Sequence, residues 1–526
     1  MELYLNCHPN HIVVILSEAK DLPVYTQDPG RFLVASLLRM TRIKEHTMST
    51  TTQAPTTHLY EQVADKIAKQ IDRGAIKAGE RVPSVRKLKS KLGVSLSTVL
   101  QAYITLENKG LIEARPQSGY YVRMQPRELP MEPRISAPAP TATKVDIADL
   151  ALEVHESNVN PLVVPLGAAT PSNNLLPTRK LNRFLSAAAR RHEHESNQYG
   201  SPAGNMELRR QIARRSLDWG CNLTPEEIVV TVGCSEALNL CLRVIANPGD
   251  TIAVESPTYF GILQILDTLN LKALEIPTDP REGICLDALE SAITRQRVAG
   301  VFVQPNFHNP LGCSMPEENK NSLVRMLSRM GVPLIEDDIY GDLSHEGARP
   351  KALKAYDKEG NVLSCSSFSK TISPGFRIGW TVPGKYLKQV RRLKLANSIS
   401  TASLPQLAIA EMLNSGGYDH FLRKVRRSYE AQMQAMVQAA RRYFPEGTKV
   451  TRPRGGTVLW VEFPRGVDSM ELYQKALEKN ISVVPGPLFS PKGQFNQCIR
   501  LNCGHAWSER IEAAMITIGQ IAGRMV

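Results

Sequence analysis

The sequence lacks an apolar run long enough to cross a membrane. Its longest apolar stretches, such as 228–232 and 301–303, end well short of the ~18 residues that a transmembrane helix requires. The apolar run 11–16 has no basic segment before it and no small-residue cleavage site after it, so a secretory signal is not indicated. These absences predict a cytoplasmic protein with no membrane partner.

The cysteines lack the spacing of a metal site. Nine are present, an odd and scattered set without a Cys-x-x-Cys pair or a cysteine–histidine cluster of zinc-ligand spacing (Cys7, Cys221, Cys234, Cys241, Cys285, Cys313, Cys365, Cys498 and Cys503). This pattern fits a reducing compartment and predicts no metal ligands.

What is present is ordinary globular composition with an uneven charge. The 526 residues are 42% hydrophobic and 22% charged, which is enough for two or three domains with sizeable cores. Residues 58–125 hold twelve Lys or Arg against six Asp or Glu, so nearly half of the net charge of +13 lies in this short stretch. A concentrated positive field favours nucleic acid, although a solvated basic face is the commoner explanation of such charge. The pattern of apolar, turn and capping residues must therefore decide whether this stretch binds nucleic acid.

Residues 58–123 show three helical patterns. Apolar residues recur every fourth position over 59–71, which predicts a core-facing helix ended by Gly74. Ser84 is placed to cap a short basic helix, and the turn 93–95 separates it from a third helix over about 96–108. A glycine-containing turn between two helices is the helix-turn-helix arrangement, whose second helix enters the major groove of DNA.

Two β-type runs, 111–114 and 120–122, follow and predict a hairpin wing whose tip can reach the DNA backbone or minor groove. The expected DNA contacts are Arg81, Ser84, Arg86, Ser95, Ser97, Thr98, Gln101, Arg115, Gln117 and Ser118. The runs Leu59–Gln62, Val82–Arg86 and Gly110–Tyr120 together resemble the GntR-type winged helix-turn-helix. A helical oligomerisation or lid domain is the alternative.

Two further segments are predicted at the flanks of this module. Residues 1–57 form an N-terminal extension that fits no downstream pattern and is either disordered or an over-extended start, because Met48 opens a Ser/Thr-rich stretch. Residues 124–160 are rich in proline and alanine and predict a semi-rigid linker, with a weakly amphipathic piece over 145–154 that could dock on the next domain.

From 161 to 526, continuous apolar runs alternate with helical patterns. This alternation predicts an α/β fold with a mostly parallel sheet covered by helices on both faces. Ligands of such folds bind beyond the carboxyl ends of the strands. The polar clusters of the sequence fall at those ends, directly after the runs 228–232, 251–254, 300–303, 332–335 and 362–365.

The polar clusters contain the side chains that could bind a pyridine ring carrying an aldehyde, a hydroxyl and a phosphate group. Lys370 supplies an amine for a Schiff base, and a carboxylate of the Glu336-Asp337-Asp338 run can pair with a protonated ring nitrogen. Asn309 and Tyr340 can donate to the ring hydroxyl, and Tyr259 can stack on the ring. A helix N-terminus, hydroxyls and a cation suit the phosphate, and the candidates are Gly233, Cys234, Ser235, Ser367 and Arg377.

Together and in this order, these motifs resemble fold-type I pyridoxal-phosphate enzymes, the class I/II aminotransferases. The resemblance implies a small C-terminal α+β subdomain, Lys370 as the Schiff-base lysine, Asp337 rather than Asp338 at the ring nitrogen, and Lys370, Asp337 and Tyr340 as the catalytic set. It further implies that Arg500, with Gly167 and Asn309, receives a substrate α-carboxylate, and that Tyr199 reaches a phosphate across a homodimer interface.

A GntR-type module, a proline-rich linker and an aminotransferase-like domain together resemble the MocR transcription regulators, and Ala114–Val122 is similar to their YdcR-like branch. The resemblance implies a dimeric regulator that binds an operator in double-stranded DNA and senses pyridoxal phosphate or an amino acid or amine. The alternative is a working aminotransferase with an appended DNA-binding module, because Lys370, Asp337, Tyr340 and Arg500 are all retained.

Overall fold

The computed structural model describes residues 59–72, 75–76, 79–108, 111–115, 118–122 and 130–526. The chain divides into two compact units, Met1–Gln125 and Pro126–Val526, and each is described by itself. The predictions for residues 1–57 lie outside the described residues.

The small unit contains three helices and a hairpin, at the positions that the sequence predicts. The elements are α1 (Leu59–Asp72), α2 (Val85–Leu92), α3 (Leu96–Asn108), β1 (Ile112–Arg115) and β2 (Gly119–Val122). Helix α2 is capped by Ser84, whose hydroxyl accepts the Lys87 N–H at 3.3 Å, and it ends at Gly93 in the left-handed conformation. Strands β1 and β2 pair antiparallel. Buried apolar side chains of all three helices form one core with the hairpin.

The large unit alternates strands and helices. Its strands are β3 (Thr143–Lys144), β4 (Val164–Pro165), β5 (Val229–Val232), β6 (Thr251–Ser256), β7 (Lys272–Asp279), β8 (Gly283–Ile284), β9 (Gly300–Val303), β10 (Leu334–Asp337), β11 (Val362–Ser367), β12 (Ile378–Val382), β13 (Lys449–Val450), β14 (Val458–Glu462), β15 (Ile481–Ser482), β16 (Val484–Pro485) and β17 (Cys498–Asn502). Its helices are α4 (Ala148–Val159), α5 (Thr178–Arg191), α6 (Glu193–Ser196), α7 (Met206–Arg215), α8 (Gly233–Ile245), α9 (Phe260–Thr268), α10 (Leu286–Arg295), α11 (Glu317–Met330), α12 (Leu387–Ser398), α13 (Ser403–Asn414), α14 (Tyr418–Tyr443), α15 (Ser469–Leu477) and α16 (Glu509–Gly523).

The main sheet has the order β3-β7-β6-β9-β10-β11-β12-β5. The pairs from β7 to β11 are parallel, whereas β12 runs antiparallel to both of its neighbours and β3 runs antiparallel to β7. Along β9, Phe302 packs into the core on one face of the sheet, and Val301 and Val303 pack into the core on the other. The predicted fold, a mostly parallel sheet covered on both faces, is confirmed.

A second sheet, β13-β14-β17-β16, is antiparallel and packs with α15 and α16. This is the small C-terminal α+β subdomain that the aminotransferase resemblance implies. The short parallel pair of β4 and β15 joins the start of the large unit to this subdomain. Arg500 lies in the middle of the second sheet, in register with Trp460 and Val484.

The second half of the predicted linker is packed on the large unit rather than serving as a spacer. We call residues 130–147 the strap. The strap pairs with the main sheet through β3. The hydroxyl of Ser136 also binds this sheet, because it donates to the Ser256 carbonyl at 2.5 Å and accepts the Thr278 N–H at 3.1 Å. Lys492 Nζ donates to the Ala139 carbonyl at 2.8 Å. Buried apolar side chains then anchor the end of the strap and α4 in the core (Val145, Ile147, Ala151 and Val154).

Candidate functional site

The candidate site lies at the carboxyl ends of the central parallel strands. Asp337 is the last residue of β10, and Lys370 ends the 3₁₀ turn Phe368–Lys370 that directly follows β11. Helix α8 begins immediately after β5, and its first turn reaches Asp337 through Cys234. The backbone approach here is close, because a Cβ on Gly379 would stand 2.7 Å from the Cys234 nitrogen.

Asp337 is a buried carboxylate whose hydrogen-bond donors among the described residues are uncharged. Its Oδ2 accepts the Gln304 Nε2–H at 2.7 Å, and its Oδ1 accepts from Cys234 Sγ at 3.4 Å and from the Ile339 N–H at 3.2 Å. Burial raises the pKa of Asp337 to about 6, and the hydrogen bonds oppose that rise. A cation placed beside this carboxylate would therefore be strongly favoured.

Lys370 carries the amine of the site. Its Nζ donates to the Ala169 carbonyl at 2.6 Å and lies 5.7 Å from the centre of the Tyr340 ring. Burial, with the positive charge of Arg500, lowers the pKa of Lys370 to about 8, against the smaller opposing effect of Asp337. A sizeable neutral fraction near neutral pH makes this amine a nucleophile.

Arg500 is a buried guanidinium whose partners are uncharged. It donates to the Gly167 carbonyl and, at 3.3 Å, to Asn309 Oδ1, while its Nε is buried without a hydrogen-bond partner among the described residues. Burial lowers its pKa to about 10, so it stays charged at neutral pH. The unpaired Nε and the uncharged partners of Arg500 favour a carboxylate ligand, because a guanidinium can bind a carboxylate through two parallel hydrogen bonds.

The predicted substrate and ring residues converge around these charges. Gly167 is held by its N–H, which donates to Ser482 Oγ at 3.0 Å. Asn309 and Tyr340 are both buried. Burial, followed by the negative charge of Asp337, raises the pKa of Tyr259 to about 12. Burial also raises the pKa of Tyr340, against the opposing charge of Arg500, so both phenols remain neutral donors.

The predicted phosphate residues meet at the start of α8. The Arg377 guanidinium lies against Gly233, where a Cβ would overlap it, and donates to the Val232 carbonyl at 3.4 Å. Ser367 is buried at the end of β11, and Ser235 is exposed in the first turn of α8. A helix N-terminus beside a guanidinium and hydroxyls can bind a phosphate group.

Tyr199, which is predicted to act across a homodimer interface, lies on the surface of the large unit. It is 85% exposed, next to Gly200, which approaches Ser403 and Ser400. The side chain is free to contact a second molecule.

Three buried polar residues of the site were not predicted from the sequence: Gln304, Glu255 and His308. Gln304 follows β9 directly, as Asp337 closes β10, so the rule that polar residues gather at strand ends could have found it. His308 Nε2 lies 3.3 Å from Glu255 Oε2, and both side chains are buried.

The predicted DNA-contacting residues divide into two groups in the small unit. Ser84 and Ser95 act as helix caps, since Ser95 Oγ accepts the Thr98 N–H at 3.0 Å and also contacts Ser97 Oγ at 2.8 Å. The two capping serines are themselves exposed, as are Arg81, Arg86, Ser97 and Gln101.

Arg81 forms a backbone bridge with Tyr121, which places it beside the wing. Ser118 Oγ lies 2.5 Å from the Tyr121 hydroxyl, and Arg115 ends β1. Gln117 lies outside the described residues.

The described residues contain neither a candidate membrane span nor a candidate metal centre. None of their helices is both long and apolar enough for a bilayer span. Their His, Cys, Asp and Glu side chains form no group of three that could hold a metal ion.

The comparisons with known proteins divide the chain in the same way as the structure. Residues 169–515 match the family "Aminotransferase class I and II", and residues 59–122 match "Bacterial regulatory proteins, gntR family". The α-aminoadipate aminotransferase LysN of Thermus thermophilus, solved with N-(5′-phosphopyridoxyl)-L-leucine, superposes with a TM-score of 0.66 at 29% identity, covering 71% of this chain and 95% of that one.

Two relatives share both parts of the chain. The HTH-type transcriptional regulator YdcR of Escherichia coli is 40% identical, covering 88% of this chain and 98% of that protein. The regulator YjiR of the same organism is 37% identical, covering 88% of this chain and 99% of that one. The chain belongs to the HTH-type transcriptional regulators that join a gntR-family DNA-binding domain to an aminotransferase class I and II domain.

Proposed function

We propose that the protein is a pyridoxal-phosphate-dependent transcription regulator whose aminotransferase-like domain senses the cofactor, an amino acid or amine, or both. The observation that carries this proposal is a pair of buried, opposite charges whose hydrogen-bond partners, in the part of the chain that the structure describes, are uncharged: Asp337 is held by uncharged donors and Arg500 by uncharged acceptors. A ligand with a cationic ring nitrogen and a carboxylate would compensate both.

The residues fit pyridoxal phosphate. Bound there, the cofactor supplies an aldehyde that reacts with amines and an electron-withdrawing ring. Asp337 would hold the ring nitrogen, Lys370 the aldehyde carbon, and Asn309 and Tyr340 the ring hydroxyl. Tyr259 would lie against the ring, and the phosphate would be held by the α8 amides of Gly233 and Cys234 with Ser235, Ser367 and Arg377.

Arg500 favours effectors that carry an α-carboxylate. Its guanidinium is fixed by the Gly167 carbonyl and by Asn309, so a carboxylate can bind without reorganising the charge. Lys370 could bind or release a proton near neutral pH, because its pKa is lowered to about 8. The proposed effector class is therefore amino acids.

The small unit would bind operator DNA through α3. Ser97 and Gln101 are exposed on this helix, and Ser95 and Thr98 tie down its first turn, while Arg86 presents a positive charge from α2. Exposed polar side chains near a helix N-terminus suit base edges, and arginines suit phosphates. Acting on DNA, the protein would reside in the cytoplasm.

We further propose a homodimer in which Tyr199 of one subunit contacts the phosphate site of its partner. Its exposure supports this, because a tyrosine that is 85% exposed contributes little to its own fold. A dimer presents two DNA-binding units, which would read two half-sites.

A second candidate function is a working aminotransferase. The retention of Lys370, Asp337, Tyr340 and Arg500 in one buried cluster favours it. Incubation of the loaded protein with each common amino acid and a keto-acid acceptor tests it. Absence of amino-group transfer from every donor would rule it out.

The decisive experiment for the regulator is binding of the full chain to its own promoter fragment, by fluorescence anisotropy, with and without pyridoxal phosphate and an amino acid panel. We expect sequence-selective binding whose affinity or DNA bending changes with ligand. Failure to prefer the promoter over unrelated DNA would overturn the proposal, and binding that no ligand alters would overturn its sensing part.

A further inference from the structure

Gln304 links two residues of the cofactor site. It follows β9 and is only 2% exposed. Its Nε2 donates to Asp337 Oδ2 at 2.7 Å, and its Oε1 accepts the Asn309 backbone N–H at 3.1 Å. The same amide therefore holds the carboxylate expected at the ring nitrogen and the residue expected at the ring hydroxyl.

The surroundings of Gln304 fix the orientation of its amide. The Asn309 backbone N–H can only donate, so the amide oxygen must face Asn309 and the NH₂ group must face Asp337. The reverse orientation would place two donors against each other at Asn309. Gln304 thus presents Asp337 with a donor, which favours the ionised carboxylate over the protonated acid.

The other contacts of Asp337 also favour the ionised carboxylate. Its Oδ1 accepts from Cys234 Sγ and from the Ile339 N–H, so both carboxylate oxygens face donors. Burial opposes these bonds by raising the Asp337 pKa to about 6. The titratable groups whose charges act on Asp337 are Cys234, Tyr259, Asp338, Tyr340 and Lys370.

The backbone of Gln304 is also held in place, by a hydrogen bond to a buried carboxylate. Its backbone N–H donates to Glu255 Oε2 at 2.7 Å, and the same carboxylate oxygen lies 3.3 Å from His308 Nε2. His308 precedes Asn309 and accepts the Leu311 N–H at its Nδ1. The peptide of Gln304 is therefore held on the same turn as Asn309, which restricts where its amide can point.

We propose that Gln304 is a positioning residue that keeps Asp337 ionised and aligned toward the ring nitrogen of the cofactor while holding Asn309 in register with it. This inference rests on the proposed function, because it requires pyridoxal phosphate to occupy the site. Gln304 itself takes no part in bond making.

The test uses pyridoxamine 5′-phosphate, which has the ring and phosphate but no aldehyde, so its binding does not depend on bond formation with Lys370. Its dissociation constant is measured by fluorescence titration of the full chain between pH 5.5 and 9. Gln304→Met removes the donor, and we expect the dissociation constant to rise about tenfold at neutral pH, as for loss of one hydrogen bond to a charged group.

The pH profile separates positioning from packing. Loss of the donor raises the Asp337 pKa, so affinity should begin to fall at a higher pH in Gln304→Met than in the wild type. Gln304→Glu keeps the volume and adds an acid beside Asp337, so its affinity should be lowest at high pH and recover in part as the pair takes up a proton. This second variant serves if the methionine variant does not fold.

Gln406 provides the matched control. It is also 2% exposed, its Nε2 donates to the Thr401 carbonyl at 2.7 Å, and its Oε1 accepts the Asn205 N–H at 2.7 Å. Gln406→Met should lose similar stability and leave the pH profile unchanged. Equal shifts in both glutamine variants, or a wild-type profile in Gln304→Met and Gln304→Glu, would overturn the role of Gln304. No binding by the wild type would instead overturn the proposed cofactor.

Discussion

Lys370 donates a hydrogen bond of 2.6 Å from its Nζ to the carbonyl oxygen of Ala169. The acceptor is neutral, so this bond orients the amine without adding the charge that would keep it protonated. The amine is accordingly both aimed and easily deprotonated, with a pKa lowered to about 8 chiefly by burial.

The first prediction concerns this amine. The neutral fraction of Lys370 rises with pH and reaches half near pH 8, so covalent uptake of pyridoxal phosphate should accelerate from pH 6.5 to about 8 and then level off. Stopped-flow absorbance of the lysine-bound cofactor measures it. Lys370→Ala should show no such absorbance and still bind pyridoxamine 5′-phosphate; an unchanged absorbance in that variant would contradict the assignment.

The second prediction concerns the stability of the ligand-free protein. The folded-state pKa of Asp337 is raised to about 6 from an ordinary 3.8, so ionisation of this acid destabilises the fold increasingly as pH rises from about 4 to above 6. Asp337→Asn should therefore unfold at a higher temperature than the wild type at pH 8, by about 2–3 kcal/mol in stability, with little difference near pH 4.

Asp342 is a control, because its ionisation should stabilise the fold, whereas ionisation of Asp337 should destabilise it. Although burial raises its pKa, the charges of Arg349 and Arg215 outweigh this and lower it below the ordinary value. Asp342→Asn should therefore destabilise the protein at neutral pH, and the loss should shrink as the pH falls below about 4. A pH-independent effect in either variant would show that charge is not the cause.

The third prediction concerns effector choice. Arg500→Lys keeps the charge and loses the planar fork, so the affinity of the cofactor-loaded protein for amino acids should fall by about 10- to 100-fold. Binding of the corresponding decarboxylated amines should change little. Spectral titration with paired amino acids and amines measures both.

Arg209 is a suitable comparison for Arg500. It is also buried, and it donates to the Gly204 carbonyl at 3.3 Å and to the Pro225 carbonyl at 2.8 Å. Arg209→Lys should leave the amino acid and amine titrations alike. If it weakens amino acid binding as much as Arg500→Lys does, the effect is not carboxylate recognition.

The fourth prediction concerns DNA. Gln101→Ala, on the exposed side of α3, should cost about 1–3 kcal/mol on the promoter and reduce the discrimination against unrelated DNA. Arg86→Ala should weaken binding to all sequences and reduce the salt dependence by about one ion. Lys69, exposed on α1 and paired with Asp65, is the control, and Lys69→Ala should have neither effect. Anisotropy titrations at several salt concentrations check all three.

The sequence was sufficient for the small unit because its elements are set by local signals. Ser84 and Gly93 fix the ends of α2, and the four-residue apolar repeat fixes α1. In the large unit, five runs of β-type residues predict β5, β6, β9, β10 and β11, whereas β7 and β12 of the same sheet were not predicted. The antiparallel direction of β12 depends on pairing with β5, which is distant in sequence.

The candidate site was predictable residue by residue, but its internal connections were not. Lys370, Asp337 and Arg500 each follow from a motif, whereas the bond between Gln304 and Asp337 joins residues at the ends of two different strands. Similarly, composition indicated a linker over 124–160 in which a weakly amphipathic piece, 145–154, could dock on the next domain, and the burial of Val145 and Val154 shows that this piece belongs to the core. Proline content predicts the stiffness of an isolated segment, but it does not predict which surface that segment packs against.

The strap also determines where the protein can be cut and rejoined. A chimaera that exchanges DNA-binding modules at residue 160 would delete β3 and α4 from the recipient and uncover the apolar core against which Ile147 and Ala151 pack. It would also remove the hydrogen bond of Ser136 to the strand that leads to Tyr259. A junction before Pro130 leaves all of these intact. The exchangeable part in this architecture therefore ends about thirty residues earlier than its amino-acid composition suggests.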